Sequence, residues 1–168
     1  EVVAAASSAS RAAAALQAGA DRTLVYPRGP FDKEGRRALS TLIKDACPEG
    51  LDVVFDPVGG DYAEAALRSL RPEGRLLVVG FTAGIPQMPL NLVLLKSCQV
   101  VGVAWGAVAR EQPELFVEVA TEVVALHAAG RIRPRLTERL TLEQAPAAIA
   151  RLAGREAVGK SGVLFSSA

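Results

Sequence analysis

The sequence predicts an α/β fold in which a doubly wound parallel sheet has helices between its strands. Short runs of consecutive apolar residues alternate with helical segments from the N-terminus to about residue 130. A continuous apolar run, rather than an alternating one, is typical of a parallel strand that is buried on both faces. Gly, Pro and Ser residues separate the runs, as expected for the connections between strands and helices.

The first strand and helix are predicted from a short local pattern. Residues 1–6 form an apolar run, and Ser7 and Ser8 offer hydroxyl groups that can cap an alanine-rich helix over residues 9–18. Gly19 is suited to end that helix. The elements that follow are predicted as strand 23–26, helix 33–46, strand 51–56, helix 62–70, strand 75–81, helix 90–96, strand 100–104 and helix 113–129.

The last part of the chain has a different pattern. Residues 136–142 alternate polar and apolar side chains like an exposed strand, residues 142–152 have helical spacing, and residues 162–165 form a final apolar run. We therefore divide the chain into a first domain, 1–130, and a C-terminal segment, 131–168.

Composition excludes several classes of partner and site. With 22% charged residues and a formal net charge of +1 among 168 residues, the chain lacks the basic surface typical of nucleic-acid binding. It has no apolar run of the roughly 18 residues that a membrane span requires, and no signal-peptide pattern at its start. Cys47 and Cys98 lie far apart and His127 is the single histidine, so no zinc site is expected. We expect a cytoplasmic protein with reduced cysteines.

Ligands of an open α/β sheet bind at the carboxyl ends of its strands. The candidate segments are Ser7 with Ser8, Tyr26, and residues 56–60, 80–84 and 102–106. Most are small or glycine-rich, so the backbone can approach a ligand closely; the alternative is that these glycines only form tight turns. Asp56 is expected to cap the turn that follows it, with a role as an acid or base left open. No catalytic residue is identified.

The segment after the first strand points to a charged ligand. In dinucleotide-binding folds an Asp or Glu near this position binds the ribose 2′-hydroxyl. This sequence instead has Ser7, Ser8 and Arg11, and hydroxyls with a guanidinium at a helix N-terminus suit a 2′-phosphate. The alternative is a helix cap beside a solvated arginine.

Taken in order, these segments resemble the medium-chain dehydrogenase/reductases, and within them the zinc-independent, quinone oxidoreductase-like (zeta-crystallin-like) branch. The resemblance covers essentially the whole chain. The segments that carry it are 7–11, 18–21, Tyr26, 56–60, 74–75, 80–86, 91–96, 102–106, 130–134 and 159–160.

The resemblance implies an NADPH site. Ser8 and Arg11, next to Ser7, match positions that hold the 2′-phosphate, and Tyr26 matches a tyrosine beside the adenosine. The other positions implied to lie at the cofactor are Gly80, Phe81, Thr82, Val103, Ala104, Trp105, Arg155 and Gly159. The resemblance also implies a homodimer through an edge strand at residues 100–103.

The sequence departs from the family at its start. The family's glycine-rich pyrophosphate turn and its catalytic domain have no counterpart in this sequence. We therefore expect a fragment: a Rossmann-like sheet that lacks its first strand, followed by a tail, 131–168, that belongs to an absent catalytic domain. By itself the chain is expected to bind NADPH weakly and not to turn over substrate.

The expected function is that of the cofactor-binding portion of an oxidoreductase that transfers hydride from NADPH to a quinone or activated alkene. Two alternatives stay open. One is an enoyl-thioester or alkenal reductase on the same scaffold, and the other is a non-catalytic dimerisation or binding module.

Overall fold

The computed structural model describes residues 1–154 and 156–165. The chain divides into two compact units, an N-terminal unit, Glu1–Trp105, and a C-terminal unit, Gly106–Ala168. By its contacts the chain thus divides ahead of the boundary predicted between residues 130 and 131. The predicted helix 113–129 falls in the C-terminal unit.

The N-terminal unit alternates strands and helices along the chain. Its elements are β1 Val3–Ala6, α1 Ala9–Gln17, β2 Arg22–Val25, α2 Lys33–Ala46, β3 Leu51–Asp56, α3 Tyr62–Arg68, β4 Leu70–Val78, α4 Asn91–Lys96 and β5 Gln99–Gly102. Every strand pair in this unit is parallel. The predicted α/β class with parallel strands is therefore confirmed.

The strands of this unit form two separate ladders. β1 pairs with β2, and β3, β4 and β5 pair in that order. Among the described residues no ladder joins β1 to β3, so the continuous sheet expected from the alternation of elements is divided into two hydrogen-bonded parts. Helices α2 and α3 pack together across this division.

The core lies under one face of the three-stranded ladder. Leu67, Leu70, Leu76 and Cys98 form its buried centre, and side chains of α3 and α4 pack around them. The opposite face of β3 is uncovered, with Phe55 exposed to 66% of its surface. The prediction that these strands are buried on both faces is therefore wrong for β3, since α3 and α4 cover only one face.

The C-terminal unit contains the rest of the elements. They are α5 Trp105–Glu111, which begins at the last residue of the N-terminal unit, α6 Pro113–Ala128, β6 Leu136–Leu140, a 3₁₀ turn Leu142–Gln144, α7 Ala145–Ala153 and β7 Lys160–Val163. β6 and β7 pair in parallel with each other. Sequence patterns missed α5 and placed the final strand two residues too late, because Lys160 and Ser161 are polar.

No helix in the described part of the chain is both long enough and apolar enough to cross a membrane.

Candidate functional site

The end of β1 brings together the three residues predicted to hold a phosphate. Ser8 caps α1 with an extended backbone, and its Oγ accepts a hydrogen bond from the Arg11 amide at 3.3 Å. The Arg11 guanidinium folds back and donates from Nη1 to the Ser7 Oγ at 2.7 Å. The first turn of α1 contains no acidic residue. A guanidinium, hydroxyl groups and the positive end of a helix therefore share one half-buried place, an arrangement suited to an anion.

Tyr26 lies beside this place because of the strand register. Ala6 pairs with Val25 at the end of the first ladder, and the Tyr26 amide donates to the Ala6 carbonyl at 2.9 Å. The next residues of both strands, Ser7 and Tyr26, thus leave the ladder at the same edge. The half-buried Tyr26 ring also contacts Tyr62 edge to face, with the ring centroids 5.0 Å apart.

An aromatic and polar clamp, which sequence patterns did not reveal, holds the loop after Tyr26. Tyr62 Oη accepts from the Gly29 amide at 2.9 Å, and its ring meets that of Phe31 with centroids 5.3 Å apart. Asp61 Oδ2 accepts from the Phe31 amide and its Oδ1 from Arg36 Nη1, both at 3.2 Å. The loop after β2 is therefore attached to the start of α3. These residues lie about 30 positions apart in sequence, and no local pattern links them.

Asp56 caps the turn at the end of β3, as expected. Its buried carboxylate accepts from the amides of Val58 at 2.8 Å and Gly59 at 2.9 Å. Because Oδ1 is engaged with the two amides, Asp56 acts as a structural group that fixes the start of the loop. The Asp56 carbonyl in turn accepts from the Gly80 amide, which connects this loop to the one after β4.

The loops after β3 and β4 are joined so closely that two positions require glycine. The Gly60 amide donates to the Gly84 carbonyl at 2.8 Å, and the Ala83 amide donates to the Val58 carbonyl at 2.8 Å. Gly59 has φ +65°, and a Cβ there would lie 2.8 Å from the Gly84 carbonyl oxygen. The glycines predicted to allow close approach therefore approach another loop, and they make a rigid support at this edge of the ladder.

The remaining predicted contacts of the N-terminal unit line the same strand ends. Phe81 and Thr82 are exposed on the loop that follows β4, and the Thr82 amide lies 3.4 Å from the Pro57 carbonyl oxygen. The Val103 amide donates to the Val78 carbonyl at 2.9 Å, so the end of β5 stays next to the end of β4. Gly80, Ala104 and Trp105 complete this group, and Trp105 is exposed to 44%.

Two predicted cofactor residues belong to the C-terminal unit. Gly159 precedes β7 with φ +90°, and a Cβ there would lie 2.7 Å from the Thr137 Cγ2. Close packing against β6 therefore accounts for this glycine within the unit itself. Arg155 lies outside the described residues, so its predicted role stays a prediction.

The side chains that commonly bind metal ions are scattered in the described part of the chain. Across residues 1–154 and 156–165 no group of three or more His, Cys, Asp or Glu side chains could hold a metal ion. Cys47 and Cys98 are free and buried. His127 lies at the end of α6, where its Nδ1 is 3.1 Å from the Ile132 carbonyl oxygen at the protein surface.

Comparison with known proteins places these features in a family. Residues 1–122 match the family model described as zinc-binding dehydrogenase. The quinone oxidoreductase-like protein 2 of Bos taurus is 35% identical over 161 residues, which cover 95% of this chain and 44% of that protein. The chain thus spans less than half the length of this curated relative.

Two solved structures share the fold over nearly the whole chain. The quinone oxidoreductase of Thermus thermophilus, solved alone and with NADPH, has a TM-score of 0.77 and 26% identity, with 98% of this chain and 50% of that chain covered. The Escherichia coli quinone oxidoreductase complexed with NADPH has a TM-score of 0.81 at 24% identity, covering 98% of this chain and 49% of that chain. The resemblance to quinone oxidoreductase-like proteins is confirmed, and this chain belongs to the zinc-binding dehydrogenase family.

Proposed function

We propose that this chain is the cofactor-binding portion of an oxidoreductase that uses NADPH, without zinc, to reduce a quinone or an activated alkene. The observation that carries the proposal is the contact of the Arg11 guanidinium with the Ser7 hydroxyl at the N-terminus of α1. The NADPH complexes of the similar quinone oxidoreductases support the choice of cofactor.

The charge at the end of β1 favours NADPH over NADH. The 2′-phosphate is a dianion, and a guanidinium hydrogen-bonds a phosphate more strongly than it does a neutral hydroxyl. A carboxylate in the first turn of α1 would repel that phosphate, and none is present there. Ser8 contributes by fixing the helix start, while Ser7 holds the guanidinium in place.

The other strand ends position the rest of the cofactor in this proposal. Tyr26 bounds the adenosine side, and the joined loops after β3 and β4 form a support whose exposed edge carries Phe81 and Thr82. Val103, Ala104 and Trp105 border the nicotinamide. For Gly159 and Arg155, the cofactor role implied by the family resemblance stays a prediction. When bound, NADPH supplies the hydride, so the chain needs mainly to bind and orient it.

A titration with both nucleotides tests the cofactor proposal on this chain. We expect NADPH to bind at least about tenfold more tightly than NADH, because a hydrogen bond to a charged group contributes about 1.5–3 kcal/mol. Arg11→Gln should remove this preference. Arg131→Gln, which removes an exposed positive charge elsewhere, should preserve it. Equal affinity for the two nucleotides, or an unchanged preference in the Arg11 variant, would contradict the proposed 2′-phosphate site. Failure to bind either nucleotide would favour a non-catalytic module.

A test of the substrate class requires the longest natural protein chain that contains this sequence. Product analysis with quinones and with enoyl thioesters, both with NADPH, separates the main proposal from the alternative reductase. Reduction of the thioester alone would replace the quinone assignment without affecting the cofactor proposal.

A cytoplasmic location is part of the proposal, since the two cysteines are free thiols.

We also propose a homodimer through residues 100–103. β5 is the outer strand of its ladder, and Val100 and Val103 are exposed to 37% and 38%. An exposed apolar edge strand can pair with the same strand of a second copy. A lysine at Val100 should therefore convert a dimer to a monomer in sedimentation experiments. A mass unchanged by this substitution would oppose an interface at this edge.

A further inference from the structure

A groove of about 530 Å³ lies between α2 and α3, in a part of the N-terminal unit that the proposed NADPH site does not use. Its walls are polar and mostly basic. They consist of Lys33, Arg36, Arg37, Ser40, Thr41, Lys44, Glu64, Ala65 and Arg68. None of these residues belongs to α1 or to the loops at the strand ends. We propose that the groove binds a small, multiply charged phosphate anion of the pyrophosphate or triphosphate type.

The charges in the groove leave an excess of positive charge. Arg68 is paired with Glu64 at 2.7 Å, and Arg36 is paired with Asp61 at 3.2 Å. Lys33, Arg37 and Lys44 have no ion pair among the described residues. The single carboxylate in the groove is therefore neutralised within it, and three cations remain to meet an anion.

The helix places these cations in one row. Lys33, Arg37 and Lys44 are separated by four and seven residues, so they lie along the same side of α2. Like charges four residues apart, such as Lys33 and Arg37, repel each other and weaken a helix. An anion in the groove relieves this repulsion. The row extends about 16 Å at 1.5 Å per residue, long enough for several linked phosphate groups.

The neutral side chains of the groove narrow the class of ligand. The exposed Thr41 adds a hydroxyl group that can donate to a phosphate oxygen. The lining contains no aromatic side chain on which a base could stack, and its one apolar residue is Ala65. A nucleotide base or the apolar anchors of an acidic peptide would find no matching surface. A polyphosphate group without a base fits the lining.

Calorimetric titration of this chain with inorganic triphosphate tests the proposal. We expect saturable binding that weakens as salt concentration rises, because the contacts are ionic. The double variant Arg37→Gln, Lys44→Gln should bind at least about tenfold more weakly. The matched variant Arg131→Gln, Arg139→Gln removes the same charge from exposed positions of the C-terminal unit and should leave binding unchanged.

A third variant separates this groove from the site at the end of β1. Arg11→Gln should retain triphosphate binding, and NADPH should not compete with triphosphate. Loss of binding in the Arg11 variant would assign the anion to the strand-end site and overturn the proposal. Equal weakening in the two double variants would also overturn it, since net charge alone would then account for binding. Absence of saturable binding, or preference for a poly-glutamate peptide over triphosphate, would oppose it as well.

Discussion

The two units of the chain differ in how much of their apolar side-chain surface is buried. In the N-terminal unit Leu39, Leu67, Leu70 and Leu76 are fully buried, and a core forms between one ladder and its helices. In the C-terminal unit, as described over residues 106–154 and 156–165, no residue is buried. Apolar side chains of its helices stay exposed, among them Leu152 at 65% and Val124 at 67%.

This contrast indicates that the two sequences are adapted to different surroundings. The N-terminal unit closes its own core, so its stability comes from contacts within the unit. The C-terminal unit has strands and helices but few buried contacts to hold them, and hydrogen bonds in such a region open readily. The apolar residues of α6 and α7 suit burial against a surface that the unit itself does not provide.

Truncation of one leucine in each unit should show the largest difference. Leu76→Ala removes a side chain with no exposed surface and should lower the free energy of unfolding by about 2–5 kcal/mol. Leu152→Ala removes an exposed one and should change it by about 0.5 kcal/mol or less. Urea denaturation of both variants measures the difference. A comparable loss in the two variants would mean that Leu152 is covered in solution and would remove the contrast between the units.

Substitution of one crowded glycine by alanine in each unit introduces a similar steric clash in both units. Gly59→Ala and Gly159→Ala both place a Cβ within 2.8 Å of a backbone oxygen at positive φ. We expect about 1–3 kcal/mol of global destabilisation from the first. The second should weaken only the hydrogen bonding between β6 and β7, because few other parts of the structure depend on that strand pair.

The control for this comparison is Gly19→Ala, where φ is +106° and a Cβ meets no atom within 4 Å. It isolates the backbone strain from the steric clash. Thermal unfolding gives the global effect, and amide exchange of β6 and β7 gives the local one. If Gly159→Ala lowered the unfolding temperature as much as Gly59→Ala, the C-terminal unit would belong to the same cooperative structure.

Local patterns predicted the parts of the structure that local contacts determine. The predicted bounds of helix α2 and strand β3 agree with the observed ones. The start of α2 is fixed locally, because the Gly35 amide donates to Asp32 Oδ1 at 2.7 Å. Ser7 and Arg11 could be predicted to meet because they are four residues apart at a helix start. The roles assigned to the individual cofactor residues stay predictions.

The features that sequence patterns did not predict depend on contacts between distant residues. Tyr62 and Asp61 hold the loop after β2 through partners about 30 positions away, which no periodicity reveals. The separation of β1 from β3 depends on strand order rather than on the apolar character of either strand. Exposure of Phe55 likewise follows from which helices cover which face, although its sequence context is that of a buried strand.

The smallest expected effect concerns an ion pair within the C-terminal unit. Arg151 donates to Glu138 Oε2 at 2.9 Å, and Ser161 donates to the same oxygen at 2.9 Å. The Arg151 hydrogen bond, followed by that of Ser161, lowers the pKa of Glu138 below its ordinary value of 4.5. Because the folded pKa is lowered, the contribution of this pair is present above pH 4.5 and is lost as pH falls through the folded pKa. The pair is exposed, so its effect on stability is small.

Replacement of Arg151 by glutamine should move the pKa of Glu138 up toward its ordinary value, because the main cause of the lowering is removed. An NMR titration of the glutamate side chains measures this shift. Glu143 serves as the internal control, since its pKa is lowered by hydrogen bonding to Thr141 and should not respond. If the pKa of Glu138 did not change, the pair between β6 and α7 would not form in solution. The C-terminal unit, whose leucines are already exposed, would then have one fewer contact to stabilise it.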